Sequence, residues 1–251
     1  MLEIKNISAG YGRQRVIENF SASIEKGKLV SVIGINGCGK STLMKATLGI
    51  MRATEGEIIL DGKELSQMKR KEIARKMAYL PQQRVIPDMT AFATVLHGRY
   101  PYLTYPRDYS EKDREAALRA VEAVGLGELA ERQMSELSGG MRQRAYLAAC
   151  MCQDTDYILL DEPTAHLDPS NKIGLMRQLR HLADGGRGIV AVMHELPLCF
   201  DFSDEIILMG KGRILCVGTP EELCSSPLLA EQLGVELRRA ESGEYYCCYL
   251  R

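Results

Sequence analysis

At 251 residues the chain is long enough for one large domain, or one domain with a subdomain, and its 45% hydrophobic content is that of an ordinary globular protein. Its 32 basic and 33 acidic residues leave a formal charge of −1, which removes the electrostatic case for nucleic acid or an anionic membrane surface as a partner. No run approaches the roughly 18 apolar residues that span a bilayer, and Met1-Leu2-Glu3-Ile4-Lys5-Asn6 has neither the basic nor the apolar region of a signal peptide. A cytoplasmic location is expected, with any membrane-spanning part supplied by other subunits.

Residues 2–7 and 16–24 alternate with period two and predict strands, and Glu25-Lys26-Gly27-Lys28 then signals a turn. Leu29-Val30-Ser31-Val32-Ile33 predicts a strand buried on both faces. A glycine-rich turn and a helical pattern over 41–48 follow, then a strand and turn over 56–62. From about 87 to 151 the pattern is mostly helical, with Ala117, Leu118, Val121 and Val124 at helical spacing over 111–124. Buried strands return at 157–160 and 188–193. Residues 205–209 and 213–217, joined by Gly210-Lys211-Gly212, read as a hairpin. Residues 221–233 look helical, and 245–250 read as a short strand that packs on the core.

The eight cysteines, Cys38, Cys150, Cys152, Cys199, Cys216, Cys224, Cys247 and Cys248, fit neither a disulfide framework nor zinc-site spacing. They read as small apolar fillers in a reducing compartment.

Two stretches carry chemistry. Gly34-Ile35-Asn36-Gly37-Cys38-Gly39-Lys40-Ser41-Thr42 fits G-x-x-x-x-G-K-[ST] between a buried strand and a helix. Its glycines let the backbone turn tightly so that N–H groups converge on phosphate oxygens, and the helix presents its positive end to the same anion. Lys40 is placed for the β- and γ-phosphates of ATP and the Ser41 hydroxyl for Mg²⁺. Cys38 enters through its backbone, and an exposed thiol there would be reactive. In Tyr157-Ile158-Leu159-Leu160-Asp161-Glu162-Pro163 an apolar strand ends in two carboxylates. Ligands of α/β sheets bind at such strand ends, so Asp161 is placed to hold Mg²⁺ and Glu162 to polarise the attacking water.

Between them, Leu137-Ser138-Gly139-Gly140-Met141-Arg142-Gln143-Arg144 carries the Leu-Ser-Gly-Gly signature before a basic helix. With these motifs in this order, the chain resembles the ABC-type ATPases over nearly its whole length. The resemblance implies an α/β fold: a P-loop ATPase core with an antiparallel β subdomain (about 1–86 and 156–219), an inserted α-helical subdomain (about 87–155) and a C-terminal helix and short strand (about 220–251). It implies that Tyr11 stacks on adenine and that Val16 packs on the nucleoside. Gln82 touches Mg²⁺ and senses the γ-phosphate, and His194 sits near that phosphate. Ala165-His166-Leu167-Asp168 resembles the loop that crosses the dimer interface. His97, His166 and His181 are otherwise left as surface or packing residues.

The resemblance also implies partners. Ser138, Gly139, Gly140 and Asp168 would act on ATP held by a second copy, so that two chains sandwich two nucleotides. Met141 departs from the Gln or Glu usual at its position, and a tuned rate or affinity is expected. A single cassette resembles the separate ATPase subunit of an importer, working with polytopic permease subunits at the inner face of the cell membrane and with a periplasmic or extracellular substrate-binding protein. Gly98-Arg99-Tyr100-Pro101 and Thr164-Ala165-His166-Leu167-Asp168 resemble the iron–siderophore, haem and vitamin B12 subfamily. The permease is expected to dock near residues 82–102. A non-transport ABC ATPase, for example in iron–sulfur assembly, or a subunit of another ABC transporter stays open as the alternative.

Overall fold

The computed structural model describes residues 1–12, 14–165 and 167–249, with the backbone alone at Tyr249. The first two strands, β1 (Leu2–Tyr11) and β2 (Gln14–Ile24), run antiparallel. Their alternation breaks where the register shifts, between Ile4 and Ile7 and again by Ala9, so Ile7, Ser8 and Ala9 are buried in succession. Asn6 and Asn19 take positive φ (50° and 49°) at these irregularities. Asparagine tolerates that region better than most residues.

The buried run becomes β3 (Leu29–Gly34), every residue of which is buried. It leads into α1 (Lys40–Thr47). Two further antiparallel strands, β4 (Glu55–Leu60) and β5 (Lys63–Glu64), complete a four-stranded sheet in the order β2-β1-β4-β5. Asp61 and Gly62, both at positive φ, make the turn between them. Next come α2 (Arg70–Ala74) and β6 (Met77–Leu80), a strand of four apolar or aromatic residues that the sequence pattern does not announce.

The helical stretch then runs through α3 (Ala91–Leu96), a 3-10 turn at His97–Tyr102, α4 (Glu111–Ala123) and α5 (Gly139–Cys152). These helices share their own apolar cluster around Val95, Val121, Met134 and Ala145. Ala117, Val121 and Val124 are buried as their spacing predicts, but Leu118 is 50% exposed. It follows Ala117 directly, and successive residues point about 100° apart on a helix.

The chain returns through β7 (Tyr157–Asp161), α6 (Pro169–Asp184), β8 (Gly188–Val192) and α7 (Leu196–Phe202) to the hairpin of β9 (Glu205–Gly210) and β10 (Arg213–Gly218). The six-stranded sheet has the order β10-β9-β3-β8-β7-β6, parallel except for β10. One face sends Val30, Val32 and Val190 against the antiparallel sheet and α1. The other sends Leu29, Ile33 and Ile189 against the later helices. That two-sided burial explains the unbroken apolar runs.

The expected helix over 221–233 is two short ones, α8 (Pro220–Cys224) and α9 (Leu228–Leu233), with Pro227 between them. Proline cannot sit inside a helix without breaking its hydrogen bonding. The end strand, β12 (Tyr245–Tyr249), pairs with β11 (Val235–Arg239), which the pattern also left unannounced. Tyr245 meets Phe200 edge-on, and its N–H donates to Asp201, so the hairpin rests on α7. Among the described residues no helix is long and apolar enough to cross a membrane.

Within Gly98–Pro101, the first two residues face the helical subdomain rather than the surface. A Cβ on Gly98 would lie 2.3 Å from the Ala149 carbonyl oxygen, so glycine is required for the turn to approach α5. Arg99 points inward. Its Nε donates to Asp113 at 2.9 Å, its Nη1 donates to the Cys152 carbonyl, and its guanidinium lies 3.9 Å from the Tyr102 ring centroid. The two side chains of the ion pair are only 16% and 12% exposed. Removing one partner of a buried pair costs about 3–5 kcal/mol. Arg99→Met is therefore expected to lower the thermal midpoint by roughly 6–20 °C at 2–4 °C per kcal/mol, as read by calorimetry. An unchanged midpoint would contradict this packing role.

Candidate nucleotide site

Four parallel strands of the six-stranded sheet end on one edge, and each delivers a residue there. β3 opens into the phosphate-loop motif, β6 runs to Gln82, β7 ends at Asp161 and Glu162, and β8 runs to His194. The result is a cleft of about 530 Å³ lined by Val16, Asn36, Gly37, Gly39, Lys40, Ser41, Thr42, Gln82, Glu162 and His194.

The loop's shape depends on its glycines. Gly34, Gly37 and Gly39 have φ of 152°, 78° and 107°. At Gly39 a Cβ would sit 2.8 Å from Ile17 Cγ2, and at Gly34 it would sit 2.3 Å from the Met209 carbonyl oxygen. Side chains at these places would both strain the backbone and push the loop off β2 and β9. Lys40 is buried and its Nζ donates to the Gly34 and Ile35 carbonyls at 2.8 and 3.0 Å, which holds the ammonium across the loop's concave side. The loop and the start of α1 thus direct N–H groups and one cation at a single point, the arrangement that suits a phosphate.

The carboxylates differ sharply. Asp161 is 1% exposed; Tyr79 donates its hydroxyl to Oδ2 at 3.4 Å, while Oδ1 is fully buried without a hydrogen-bond partner. Burial pushes the Asp161 carboxyl up, opposed by a hydrogen bond from Ser41 and reinforced by the nearby Glu162 charge. Glu162 faces the cleft at φ 52°, a left-handed conformation that L side chains rarely adopt. Its N–H donates to the Val192 carbonyl at 3.0 Å, and its own carbonyl accepts from Ala165 N–H. Such strain costs about 1–3 kcal/mol and persists where surrounding bonds fix it, often at a functional position. Glu162 Oε1 lies 2.9 Å from His194 Nε2, which donates to it when that nitrogen carries the proton.

Some predicted residues stand apart from the cleft. Tyr11, 54% exposed at the end of β1, is not among the residues that line it. Gly34 and Cys38 lie behind the loop, and Cys38 is only 3% exposed, with burial as the main cause of its raised thiol pKa. Cys38 is therefore not the exposed, reactive thiol its place in the loop suggests. Cys150 and Cys199, fully enclosed, are pushed up to about 12, as apolar fillers should be.

Ser138, Gly139, Gly140 and Asp168 lie on a different surface. Ser138 caps α5, its Oγ accepting the Met141 N–H, and Asp168 caps α6 by accepting the Asn171 N–H. A Cβ on Gly140 would lie 3.5 Å from Leu167, so the signature and the Asp168 loop adjoin. The Met141 side chain packs against the helical cluster and has no polar role in this chain. His166 lies outside the described residues.

The cleft has supports that no motif marks. Thr164 and Lys172 both donate to Glu195; burial works against the Glu195 charge, but these two partners outweigh it and hold its carboxyl below the usual range. Gln143 and Arg84, which hydrogen-bond to each other, likewise carry no role in the motifs.

The ABC transporter family model matches residues 17–165. The chain is 40% identical over 237 residues to the petrobactin import ATP-binding protein FpuD of Bacillus anthracis, covering 94% of this chain and 87% of that protein. It is 35% identical to the ferric enterobactin transport ATP-binding protein FepC of Escherichia coli (92% and 86% covered). Identity to the hemin import ATP-binding protein HmuV of Myxococcus xanthus is 34% (96% and 92% covered). Among solved structures it superposes on the dimeric bacterial ABC transporter cassette MJ0796 with a TM-score of 0.78 at 27% identity, covering 88% of this chain and 99% of that one. On these grounds the chain belongs to the ABC transporter family, as an ATP-binding and ATP-hydrolysing cassette.

Proposed function

We propose that this cassette drives import of an iron–siderophore or haem-type chelate through separate membrane permease subunits, with a substrate-binding protein delivering the cargo. The observation that carries the enzymatic part is the convergence of Lys40, Gln82, Glu162 and His194 on one cleft. The cargo class rests on the relatives, whose names span petrobactin, ferric enterobactin and hemin.

In this reading Val16 and Tyr11 hold the nucleoside and the loop of Gly34, Asn36, Gly37, Cys38, Gly39, Lys40, Ser41 and Thr42 cradles the phosphates. The donor set suits Mg²⁺: the orphaned Asp161 Oδ1 is a buried anionic oxygen, and Ser41 and Gln82 supply the neutral oxygens that hard cations prefer. Bound there, Mg²⁺ would neutralise charge on the phosphates. Glu162 accepts a hydrogen bond from the attacking water and orients it in line with the γ-phosphorus. His194 fixes the Glu162 carboxylate and reaches the same phosphate. Ser138, Gly139, Gly140 and Asp168 of a second copy complete the site, so ATP favours the closed pair because it touches both chains only there.

The permease would dock beside α2. There Arg70, Lys71, Ala74, Tyr100, Pro101, Leu103 and Arg107 line a groove of about 330 Å³ with an apolar floor and a basic rim. Val85 and Ile86, 91% and 44% exposed, are further apolar residues within the expected docking segment. This supports a short permease helix that buries apolar residues and carries an acidic one. Tyr100→Cys, co-expressed with its permease carrying single cysteines on cytoplasmic loops, is expected to crosslink to one such loop. Crosslinking to none of them, with transport intact, would count against the groove.

A further inference from the structure

A buried amide joins three segments that the motifs leave separate. Gln143, on the second turn of α5, is only 6% exposed. Its Oε1 accepts from Arg84 Nη1, and its Nε2 donates to the Pro163 carbonyl. Arg84 in turn donates through Nε to the Pro81 carbonyl at 2.8 Å and lies 4.9 Å from the Tyr146 ring centroid. Tyr146, three residues after Gln143 and so on the same face of α5, donates its hydroxyl to the Val85 carbonyl at 3.3 Å. The signature helix thus grips both ends of the 81–85 loop, which carries Gln82, and grips the residue that follows Glu162.

The amide has one productive orientation. Turned over, it would set its NH₂ against the guanidinium and its oxygen against the Pro163 carbonyl, leaving two buried pairs of like groups. A buried, fully satisfied amide therefore fixes the relative placement of its neighbours. Arg84 lies two residues from Gln82, and Pro163 lies one residue from the strained backbone of Glu162. Displacement of the Gln82 loop pulls on Arg84, and through Gln143 on the turn that aims the Glu162 carboxylate.

We propose that Gln143 is a positioning residue for hydrolysis: with Arg84 it ties the Gln82 loop to the turn carrying Glu162, so that the base is aimed only when that loop is in place. This rests on Glu162 acting on the attacking water.

The test uses the full-length chain with Gln143→Met, which keeps side-chain length and removes both hydrogen bonds, with Arg84→Met, and with the double variant. Gln143→Glu keeps the Arg84 pairing but sets a carboxylate oxygen against the Pro163 carbonyl, which breaks that link, so it carries the same test should Gln143→Met not fold. ATP hydrolysis and binding of the fluorescent analogue TNP-ATP are measured on each. Each single variant is expected to lose about tenfold in kcat, about 1.4 kcal/mol, with KM and TNP-ATP affinity within twofold of wild type. The double variant should be no slower than the slower single one, because the bonds act in series. Turnover within twofold of wild type, multiplying losses, or a matching fall in TNP-ATP affinity would overturn the role. Glu162→Gln, assayed alongside, separates the two readings. Retained turnover there removes the base on which the proposal rests. Lost turnover there, with wild-type turnover in the Gln143 and Arg84 variants, overturns the positioning role alone.

Discussion

Glu162→Gln is expected to lower kcat for ATP hydrolysis by about 10²–10³-fold while leaving ATP bound, since a positioned general base contributes about 10²–10⁴. The amide keeps the shape of the carboxylate but cannot take up the proton of the attacking water. Its NH₂ group can still meet His194, which lies 2.9 Å from the present carboxylate, so the cleft keeps its form. The φ of 52° at this position is set by the Val192 and Ala165 backbone bonds, which the substitution does not touch. Loss of turnover should therefore come without loss of fold or of ATP affinity. A variant with turnover within tenfold of wild type would remove Glu162 from the chemistry.

Asp161→Asn should have effects of opposite sign on stability and on activity. In the nucleotide-free chain the carboxylate is buried, one oxygen lacks any partner, and burial pushes its titration upward, so its charge is a cost to the fold. A neutral amide relieves that cost, and a gain of about 1 kcal/mol would raise the thermal midpoint by roughly 2–4 °C. Activity should fall by about 10²-fold or more, because a metal ion supplies several kcal/mol of charge stabilisation and Asn offers it no anion. Calorimetry and a Mg²⁺ titration of turnover check the two halves. A destabilised variant with normal Mg²⁺ dependence would show that Asp161 serves packing.

Much of the site could be read before the fold. The phosphate loop, the Asp161-Glu162 pair and His194 each follow a buried apolar strand, and apolar runs mark strands covered on both faces. These three strand ends then had to share an edge, because parallel strands joined by crossovers all end on the same side; Gln82 follows β6, which only the fold reveals. What the pattern could not reveal was where long side chains turn. Arg99 lies in the segment expected beside the permease and folds inward onto Asp113; Leu118 reads as core and stands half exposed. Cys38 reads as a loop thiol and lies under the loop. Gln143 has no periodic signature, since its role depends on partners 59 and 20 residues away. Strand β6 is short and lacks alternation, and β11 alternates over only four residues, Val235–Arg238, so tertiary pairing decides both.

In the proposed sandwich, one chain holds half of each catalytic site and Ser138–Gly140 of a second copy close over the phosphates. Sedimentation of Glu162→Gln with saturating ATP and Mg²⁺ tests it directly, because blocked hydrolysis keeps the bridging nucleotide in place. A species of twice the 27.9 kDa chain mass is expected with ATP, reverting to the single chain with ADP. A chain that stays single with ATP bound would contradict it.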